Sequence, residues 1–343
     1  MTWAQVRKLL CVRLDSIGDV LMSTPAMRAC RESFGCSVTL LTSAAGAAVA
    51  PLVPELDATI AFAAPWMKPP AARGDEAVIQ RLKAERFDAA VIFTVYSQNP
   101  LPAAYLCYLA GIPLRLAHCR ENPYELLTDW VPESEPAAQV RHEVQRQLDL
   151  VAAVGARAAE RRLSFSVPQA AREAVQGHLA GFDRPVVVIH PGASAASRRY
   201  PPEQFARAAD LVIAETACHA VFTGDAGEAD LGRNVQERMA QRSHSLVGRL
   251  NLAELGALID EADLLISNNT APAHIAAALG TPVVDLYALT NPQHTPWEVR
   301  SRILYHDVPC RNCYKSVCPQ GHHDCLKRVA PETVASAALE LLQ

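Results

Sequence analysis

Short apolar runs alternate with longer stretches of helical periodicity through the first half of the chain. The runs KLLCVRL from Lys8, SVTLLT from Ser37 and AAVIF from Ala89 are largely apolar on both faces, which predicts buried parallel strands. Stretches of helical period follow the runs, and glycines such as Gly35 and Gly111 end them. This regular alternation predicts an α/β fold with helices on both faces of a parallel sheet.

The same rhythm restarts after a polar helix predicted at 169–180. The run VVVIH begins it at Val186, and the stretch SNNTAPAHIAAALGTPVVDLY, 267–287, predicts a strand, a tight turn, a helix and a second strand. We therefore expect two doubly wound units, which a length of 343 residues accommodates. The expected boundaries are 1–165 for the first domain, 166–330 for the second, and 331–343 for a final amphipathic helix.

Composition narrows the class of protein. Half of the residues are hydrophobic and a fifth are charged, which is typical of a globular protein with a large core. The formal net charge of −4 argues against nucleic acid as a partner. No apolar run is long enough to cross a membrane, and the N-terminus has no signal-peptide pattern, so we expect a cytoplasmic protein. Six of the ten cysteines lie in apolar segments and are predicted to be reduced core thiols.

Polar residues concentrate in loops that follow predicted strands, and in a doubly wound sheet these loops share the edge where ligands bind. The first loop, RLDSIGDV, holds Asp15 and Asp19, and each carboxylate fits either a helix cap or a general base. Gly18 in this loop lets the backbone pass close to a ligand. Glu228, in the later loop TGDAGEAD, fits either a ribose-binding role or a helix cap.

Two further loops suit a phosphate. Arg198 and Arg199 in SAASRRYPP match a diphosphate, although two adjacent arginines are more often a solvated basic pair. The helix start at Asn269 and Thr270 offers free N–H groups to an anion, although an ordinary crossover has the same pattern. His274 lies one helical turn past Thr270, where a packed core histidine is the commoner case.

Several familiar motifs are missing from the sequence. The first β-α turn has no GxGxxG, and no Walker lysine loop occurs, which disfavours a dinucleotide oxidoreductase and a P-loop enzyme. No Asp-x-Asp follows a strand to hold a metal-bound sugar nucleotide, and no serine nucleophile elbow is present.

Together, the loops RLDSIGDVLMSTPAM, HPGASAASRRYPPEQF and SNNTAPAHIAAALGTPVVDLY resemble, in order and spacing, the signatures of glycosyltransferase family nine, the ADP-heptose heptosyltransferases of lipopolysaccharide assembly. The resemblance implies a GT-B fold, with two Rossmann-like domains facing across a cleft. It also implies an N-terminal domain that binds the acceptor, a C-terminal domain that binds the donor, and a last helix that packs back on the N-terminal domain.

The resemblance also assigns roles to individual residues. Asn269 stands where the family usually has Asp, and Ala271 where it usually has Gly, so another nucleotide sugar remains open as donor. The implied roles are Asp19 as general base within a loop that includes Ser16 and Gly18, Arg198 and Arg199 on the donor diphosphate, Glu228 on ribose, and Asn269, Thr270, Ala271 and His274 in the nucleotide-sugar signature.

The implied reaction is an inverting transfer of heptose from ADP-heptose to a hydroxyl of lipopolysaccharide core or a related glycan, with no catalytic cofactor. A lipid-linked acceptor would bring at most peripheral contact with the inner face of the cytoplasmic membrane. Alternatives are a transferase with another nucleotide sugar or with a protein or small-molecule acceptor, an epimerase or hydrolase on the same scaffold, and a nucleotide-sugar-binding protein without turnover. The expected acceptor loops are 63–74 and 94–100.

A cysteine-rich segment, 310–325, follows the last signature. Its spacing is C-x2-C-x4-C-x6-C, and four thiols this close along the chain suit a structural zinc or iron site. A reduced cysteine-rich loop is the equal alternative. The four thiols belong to Cys310, Cys313, Cys318 and Cys325.

Overall fold

The computed structural model describes residues 1–67, 75–182 and 185–343. The chain divides into two compact units, Met1–Ser166 and Val167–Gln343. Each unit is built on its own parallel sheet. Residues 68–74, which belong to the expected acceptor loop 63–74, lie outside the described part of the chain.

The sheet of the first unit has six strands among the described residues, in the order β3-β2-β1-β4-β5-β6, and all neighbours are parallel. The central strands are buried along their length because helices cover both faces. The strands are β1 (Lys8–Arg13), β2 (Ser37–Thr42), β3 (Ala58–Ala61), β4 (Ala89–Ile92), β5 (Leu114–Cys119) and β6 (Asp129–Pro132).

The second unit repeats this topology. Its sheet runs β12-β11-β10-β7-β8-β9 over the residues described, again with parallel neighbours, so both sheets follow one winding pattern. The strands are β7 (Val186–His190), β8 (His219–Phe222), β9 (His244–Ser245), β10 (Leu264–Asn268), β11 (Val283–Leu286) and β12 (Ser301–Leu304).

Helices connect successive strands in both units. Gly35 and Gly280 end α1 and α10 with positive φ, a conformation that glycine adopts without steric cost. The first unit contains α1 (Ile17–Phe34), α2 (Ala44–Val49), α3 (Asp75–Glu85), α4 (Leu101–Leu109) and α5 (Glu143–Ala152). The second contains α6 (Gln169–Leu179), α7 (Pro202–Thr216), α8 (Ala229–Gln236), α9 (Leu252–Glu261), α10 (Ala271–Leu279), α11 (Asp324–Lys327) and α12 (Pro331–Leu342).

The order of strands fixes where a ligand can bind. In each sheet the winding reverses direction between two adjacent central strands, β1 and β4 in the first unit and β7 and β10 in the second. The loops that leave these strands diverge to opposite faces, which opens a crevice at their carboxyl ends. Three of the loops that the sequence singled out, after β1, β7 and β10, lie at these two points, and the loop that carries Glu228 follows the neighbouring strand β8.

Several short strands escaped the sequence analysis. β5 was missed because its run LRLAHC contains Arg115 and His118, which interrupt an apolar pattern. Both side chains are nevertheless buried, and the Arg115 guanidinium donates to backbone oxygens of Leu126 and Glu125 at 2.8 and 2.6 Å. β6, β9 and β12 have only two to four residues each, and such runs carry no readable period.

The final helix packs within its own unit. α12 lies against α7 and the strands β10 and β11, and Val334, Ala338 and Leu341 on it are buried in the core of the second unit. Its expected packing on the N-terminal domain stays a prediction. The six scattered cysteines are buried and unpaired, as predicted. No helix in the described ranges is both long and apolar enough to cross a membrane.

Candidate functional site

A fully buried arginine dominates the carboxyl edge of the first sheet. Arg13 ends β1, and its guanidinium contacts Asp15 at 3.0 Å, Asp19 at 3.0 Å and Glu143 at 2.8 Å. Burial alone lowers the pKa of Arg13, but the three carboxylates outweigh it and hold the pKa above its ordinary value. One permanent positive charge therefore organises three acidic side chains from separate parts of the unit.

Asp15 lines a cavity at this edge. The cavity measures about 300 Å³ and lies beside the ends of β1 and β4. The Oδ1 atom of Asp15 accepts a hydrogen bond from Gln98 Nε2 at 2.6 Å. Burial raises the pKa of Asp15 to about 6, although Arg13 pulls it down. The carboxylate is thus ionised at neutral pH and sits at the polar end of an open space.

Asp19 is the third residue of α1, and the sequence predicted either a helix cap or a general base at this residue. The Oδ2 atom of Asp19 accepts from the Ser16 backbone N–H at 3.1 Å and from the Ser16 hydroxyl at 2.6 Å, and its Oδ1 atom accepts from the Arg13 guanidinium. The helix-capping interpretation is thus realised in the structure. The carboxylate remains within the same charged cluster as Asp15. Gly18, beside it, is buried.

The sequence analysis missed Arg13, Glu143 and Gln98. Arg13 lay inside an apolar run and Glu143 lay 130 residues away, so no local pattern connected them. Gln98 falls in the expected acceptor loop 94–100 but carried no signal of its own. The signal that could have identified Arg13 is its place as a charged residue at the carboxyl end of a central buried strand.

In the second unit, Asn268 holds the site loops together. This side chain ends β10 and is fully buried. Its Oδ1 atom accepts from the Tyr200 backbone N–H at 2.9 Å, and its Nδ2 atom donates to Pro191 O at 2.8 Å. The loop after β7, which carries both arginines, is therefore tied to the end of β10.

Arg198 and Arg199 point to different environments. The Arg199 Nε atom donates to Ala193 O at 2.7 Å, so this side chain supports its own loop. Arg198 is half-buried, and its guanidinium makes no hydrogen bond or ion pair with any residue that the structure describes. Arg198 thus matches the predicted diphosphate contact better than Arg199 does.

Glu228 lies where a loop glycine leaves room for it. Its Oε2 atom accepts from the Asp225 N–H at 3.0 Å, and burial raises the pKa of its carboxyl. A Cβ atom at Gly192 would lie 2.1 Å from Glu228 Oε1, so any larger residue there would require the Glu228 carboxylate to move. His190 packs beside it, and burial lowers the pKa of this ring to about 4, which keeps it neutral.

Asn269 pairs with a carboxyl that the sequence analysis did not single out. Its Nδ2 atom donates to Asp285 Oδ2 at 2.9 Å and to His294 O at 2.7 Å. A backbone carbonyl only accepts, so the amide nitrogen must face inward and Oδ1 is directed away as an acceptor. Burial raises the pKa of Asp285 to about 8, against the effect of the Asn269 hydrogen bond.

The remaining signature residues surround the start of α10. Thr270 is the N-cap residue, but its hydroxyl donates to Asn268 O at 3.3 Å instead of capping the helix. Side-chain capping is absent from this described helix start. Ala271 is half-buried at the first turn, and His274 is 4% exposed, one turn into the helix. Pro272 has no N–H and the Ala273 N–H donates to Thr270 O at 3.1 Å, so the N–H groups of Thr270 and Ala271 are the ones at this helix start that remain available to an anion.

Comparison with known proteins identifies the family. The pattern of glycosyltransferase family 9 (heptosyltransferase) matches residues 76–323. The chain belongs to this family. Lipooligosaccharide heptosyltransferase 2 of Campylobacter jejuni is 27% identical over 46% of this chain and 51% of its own length. The chain thus spans about half the length of the first curated relatives that it matches.

Two further comparisons cover most of the chain. Lipopolysaccharide heptosyltransferase 3 of Escherichia coli is 25% identical over 88% of this chain and 93% of its own. The structure of E. coli ADP-heptose lps heptosyltransferase II superposes with a TM-score of 0.76, at 22% identity and 98% coverage of both chains. This likeness confirms the GT-B fold class that the sequence predicted.

The cysteine-rich segment of this family 9 member, residues 310–325, braces the arginine loop. Ser197 donates from its N–H to Ser316 O at 3.0 Å and from its hydroxyl to Lys315 O at 2.7 Å, and His323 Nε2 lies 2.6 Å from Ser197 O. The segment therefore helps to position Arg198, a role that its spacing did not reveal.

The predicted four-thiol metal site is not assembled. Cys310 Sγ lies 3.7 Å from His322 Nε2, but no group of three or more metal-ligating side chains occurs within 1–67, 75–182 and 185–343. Cys325 packs against the core of the second unit, and burial, together with the nearby thiols of Cys318, Cys310 and Cys313, raises its pKa. A structural metal stays a prediction.

The contact between Gly192 and Glu228 gives a first prediction. Gly192→Ala should destabilise the protein by about 1 kcal/mol, because the Glu228 carboxylate must move and lose the Asp225 N–H. In a Glu228→Ala background the same change should cost little. Thermal unfolding of the four proteins of this cycle measures the coupling. Gly177→Ala on α6, where a Cβ meets nothing within 4 Å, is the matched control.

The Asn269–Asp285 pair gives a second prediction. Between pH 4 and pH 8 the folded protein keeps a proton on Asp285 that the unfolded chain releases, so this group lowers stability as pH rises. Asp285→Asn should remove this loss, which amounts to at most about 1.4 kcal/mol per pH unit. Urea unfolding from pH 5 to pH 8 measures it, and parallel profiles for both proteins would contradict the assignment.

Exchange of the two side chains supplies the control. Asn269→Asp alone should destabilise strongly, since it places two acidic groups where a hydrogen bond of 2.9 Å now lies. Combined with Asp285→Asn, it should recover most of the lost stability.

Proposed function

We propose that this protein is an inverting glycosyltransferase that moves heptose from ADP-heptose to a hydroxyl of lipopolysaccharide core or a related glycan. The observation that carries the proposal is the half-buried Arg198 guanidinium, which has no partner among the described residues and lies in a loop tied to the end of β10, next to the start of α10. Membership of family 9 and the name of the E. coli ADP-heptose enzyme support this choice of donor.

The leaving diphosphate is stabilised by fixed positive charge. Arg198 supplies a full charge, and the N–H groups of Thr270 and Ala271 at the start of α10 supply partial charges to the same anion. Glu228, whose carboxyl lies over Gly192, accepts hydrogen bonds from the ribose hydroxyls. These groups do for the departing ADP what a metal ion does in other transferases, so we propose a metal-independent reaction.

Asn269 stands where the family usually has Asp, and it can still contact the donor sugar. Because Asp285 Oδ2 and His294 O occupy its amide nitrogen, its Oδ1 atom is the group that would accept a hydrogen bond from a ligand. A carbonyl oxygen accepts from a sugar hydroxyl as a carboxylate oxygen does, without the charge. The substitution therefore keeps the hydrogen-bond pattern that a hydroxyl of heptose requires.

The chemical step is a single displacement. An acceptor oxygen attacks the anomeric carbon, its bond to the diphosphate oxygen breaks, and the configuration inverts. Asp19 removes the proton of the attacking hydroxyl, and Arg13 and Ser16 hold its carboxylate in place. For a lipid-linked acceptor, contact with the inner face of the cytoplasmic membrane is peripheral.

Asp15 is a second candidate for the base. It lines the cavity, whereas Asp19 is not among the described lining residues, and its pKa of about 6 lies closer to the operating pH of a cytoplasmic enzyme. The two assignments make opposite predictions for one pair of variants.

Asp19→Asn should lower kcat by about 10²- to 10⁴-fold, the usual contribution of a general base, and leave the Kd for ADP unchanged. Asp15→Asn should raise KM for the acceptor with a smaller effect on kcat. Steady-state transfer assays with ADP-heptose measure both, and Glu32→Gln, an exposed acid on α1, is the control. A large loss of kcat in Asp15→Asn alone would move the base to Asp15.

Calorimetry with ADP, UDP, GDP and dTDP tests the donor. ADP should bind most tightly, and Arg198→Ala should weaken it about tenfold or more, because a charged hydrogen bond is lost. Arg233→Ala, an exposed arginine on α8, should change nothing. Preference for another nucleotide would overturn the heptose assignment, and turnover of ADP-heptose without an acceptor would indicate a hydrolase or epimerase. Tight ADP binding without any transfer would indicate a binding protein.

A further inference from the structure

The residue before Arg198 is held by a segment that lies far along the chain. Ser197 is 3% exposed, its N–H donates to Ser316 O at 3.0 Å, and its hydroxyl donates to Lys315 O at 2.7 Å. The carbonyl oxygen of Ser197 lies 2.6 Å from His323 Nε2. All three polar groups of Ser197 are therefore occupied by this one segment.

His323 is the donor of the last of these hydrogen bonds. A carbonyl oxygen only accepts, so the Nε2 atom of His323 carries the hydrogen. The residue reaches Ser197 from a left-handed backbone conformation, with a φ of +59°, which costs a non-glycine residue about 1 kcal/mol. His323 is the N-cap residue of α11, and Leu326 in that helix is fully buried in the core of the second unit. An element anchored in the core thus supports a backbone conformation that is unfavourable by itself.

The loop beyond the two arginines is tied to the same part of the chain. Tyr200 is 1% exposed, and its hydroxyl donates to Val329 O at 2.8 Å. Gln204, near the start of α7, donates from Nε2 to Lys327 O at 2.8 Å. The segment 315–329 therefore holds the loop after β7 on both sides of the arginines.

The cysteine-rich part of the chain also contacts the loop after β11. The Tyr314 N–H donates to Thr290 O at 2.9 Å. Burial raises the pKa of Tyr287, which follows β11, and the positive charge of Arg198 opposes this rise. The backbone before Arg198 is thus linked to the strand end at which the charge of Arg198 acts.

We propose that His323 is a positioning residue for the diphosphate contact and that it acts through Arg198. The inference rests on the proposed function, because it concerns the ADP part of the donor. The Arg198 guanidinium makes no hydrogen bond or ion pair with a described residue, so its place depends on the backbone that carries it. The His323 hydrogen bond fixes that backbone one residue earlier, and a displacement of about 1 Å is enough to lose a well-aligned contact. Affinity for the phosphates is therefore set in part from outside the three signature loops.

The test compares ADP with adenosine, which lacks the phosphates. Calorimetry measures the Kd for ADP, and ligand-observed NMR measures the Kd for adenosine, both on the full chain. His323→Ala should weaken ADP about tenfold, as the loss of one charged hydrogen bond does, and leave adenosine unchanged. In an Arg198→Ala background the same change should cost nothing further. Equal losses for both ligands, or additive losses in the double variant, would overturn the proposal.

Two other replacements of the same residue separate the hydrogen bond from the backbone conformation. Glutamine places its amide nitrogen close to the position of Nε2, so His323→Gln should restore most of the ADP affinity. Asparagine tolerates the left-handed backbone, but its amide is too short to reach Ser197 O, so His323→Asn should behave like His323→Ala. His306→Ala, at another half-buried histidine of the same unit, is the matched control and should change neither Kd. The same ADP affinity in the glutamine and asparagine variants would contradict the assignment.

Hydrogen exchange distinguishes this proposal from the proposed function. In the nucleotide-free protein the Ser197 N–H should exchange several-fold faster in His323→Ala than in His306→Ala, because the loop has lost one of its anchors. Equal exchange rates would overturn the positioning role whatever the ligand. Failure of the unmodified protein to bind ADP would instead count against the proposed function, and the exchange rates would then decide this proposal by themselves.

Discussion

The buried guanidinium of Arg13 is the constraint on which the first unit depends. A fully desolvated charge is stable only when other charges and hydrogen bonds surround it, and here Asp15, Asp19 and Glu143 do so. The carboxylates depend on the arginine in turn, because its positive charge allows all three to remain ionised at close range. The loop after β1, the start of α1 and the start of α5 are thereby held at the carboxyl edge of the first sheet.

In the second unit, neutral hydrogen bonds instead of a buried ion pair hold the loops at the sheet edge. Asn268 binds the loop after β7 through neutral hydrogen bonds, and Asn269 is held by the largely protonated Asp285. The half-buried Arg198 guanidinium of this unit makes no hydrogen bond or ion pair with a residue that the structure describes. The two units thus share a winding pattern but divide the chemistry, with a negative edge in one and a positive edge in the other.

Much of this could be predicted from the sequence, because strand, loop and helix alternate with clear periods and the ligand-binding loops follow from topology. What could not be predicted depends on contacts between distant residues. The sequence showed that Asn269 stands where the family usually has Asp. Its hydrogen-bond partner Asp285 lies 16 residues further on, in a strand pattern that does not mark it out. Arg115 and His118 concealed β5 because their polar groups are satisfied only in the folded state.

The ten cysteines fall into two chemical classes. Burial raises the pKa of Cys11, Cys30 and Cys107 well above its usual range, so these thiols do not form the reactive thiolate. Cys310, Cys313 and Cys318 are partly exposed, in the segment that braces Ser197 and the arginine loop. A thiol-specific fluorophore should therefore attach beside the arginine loop of the native protein without any engineered cysteine, and it would place an optical reporter next to the proposed nucleotide site.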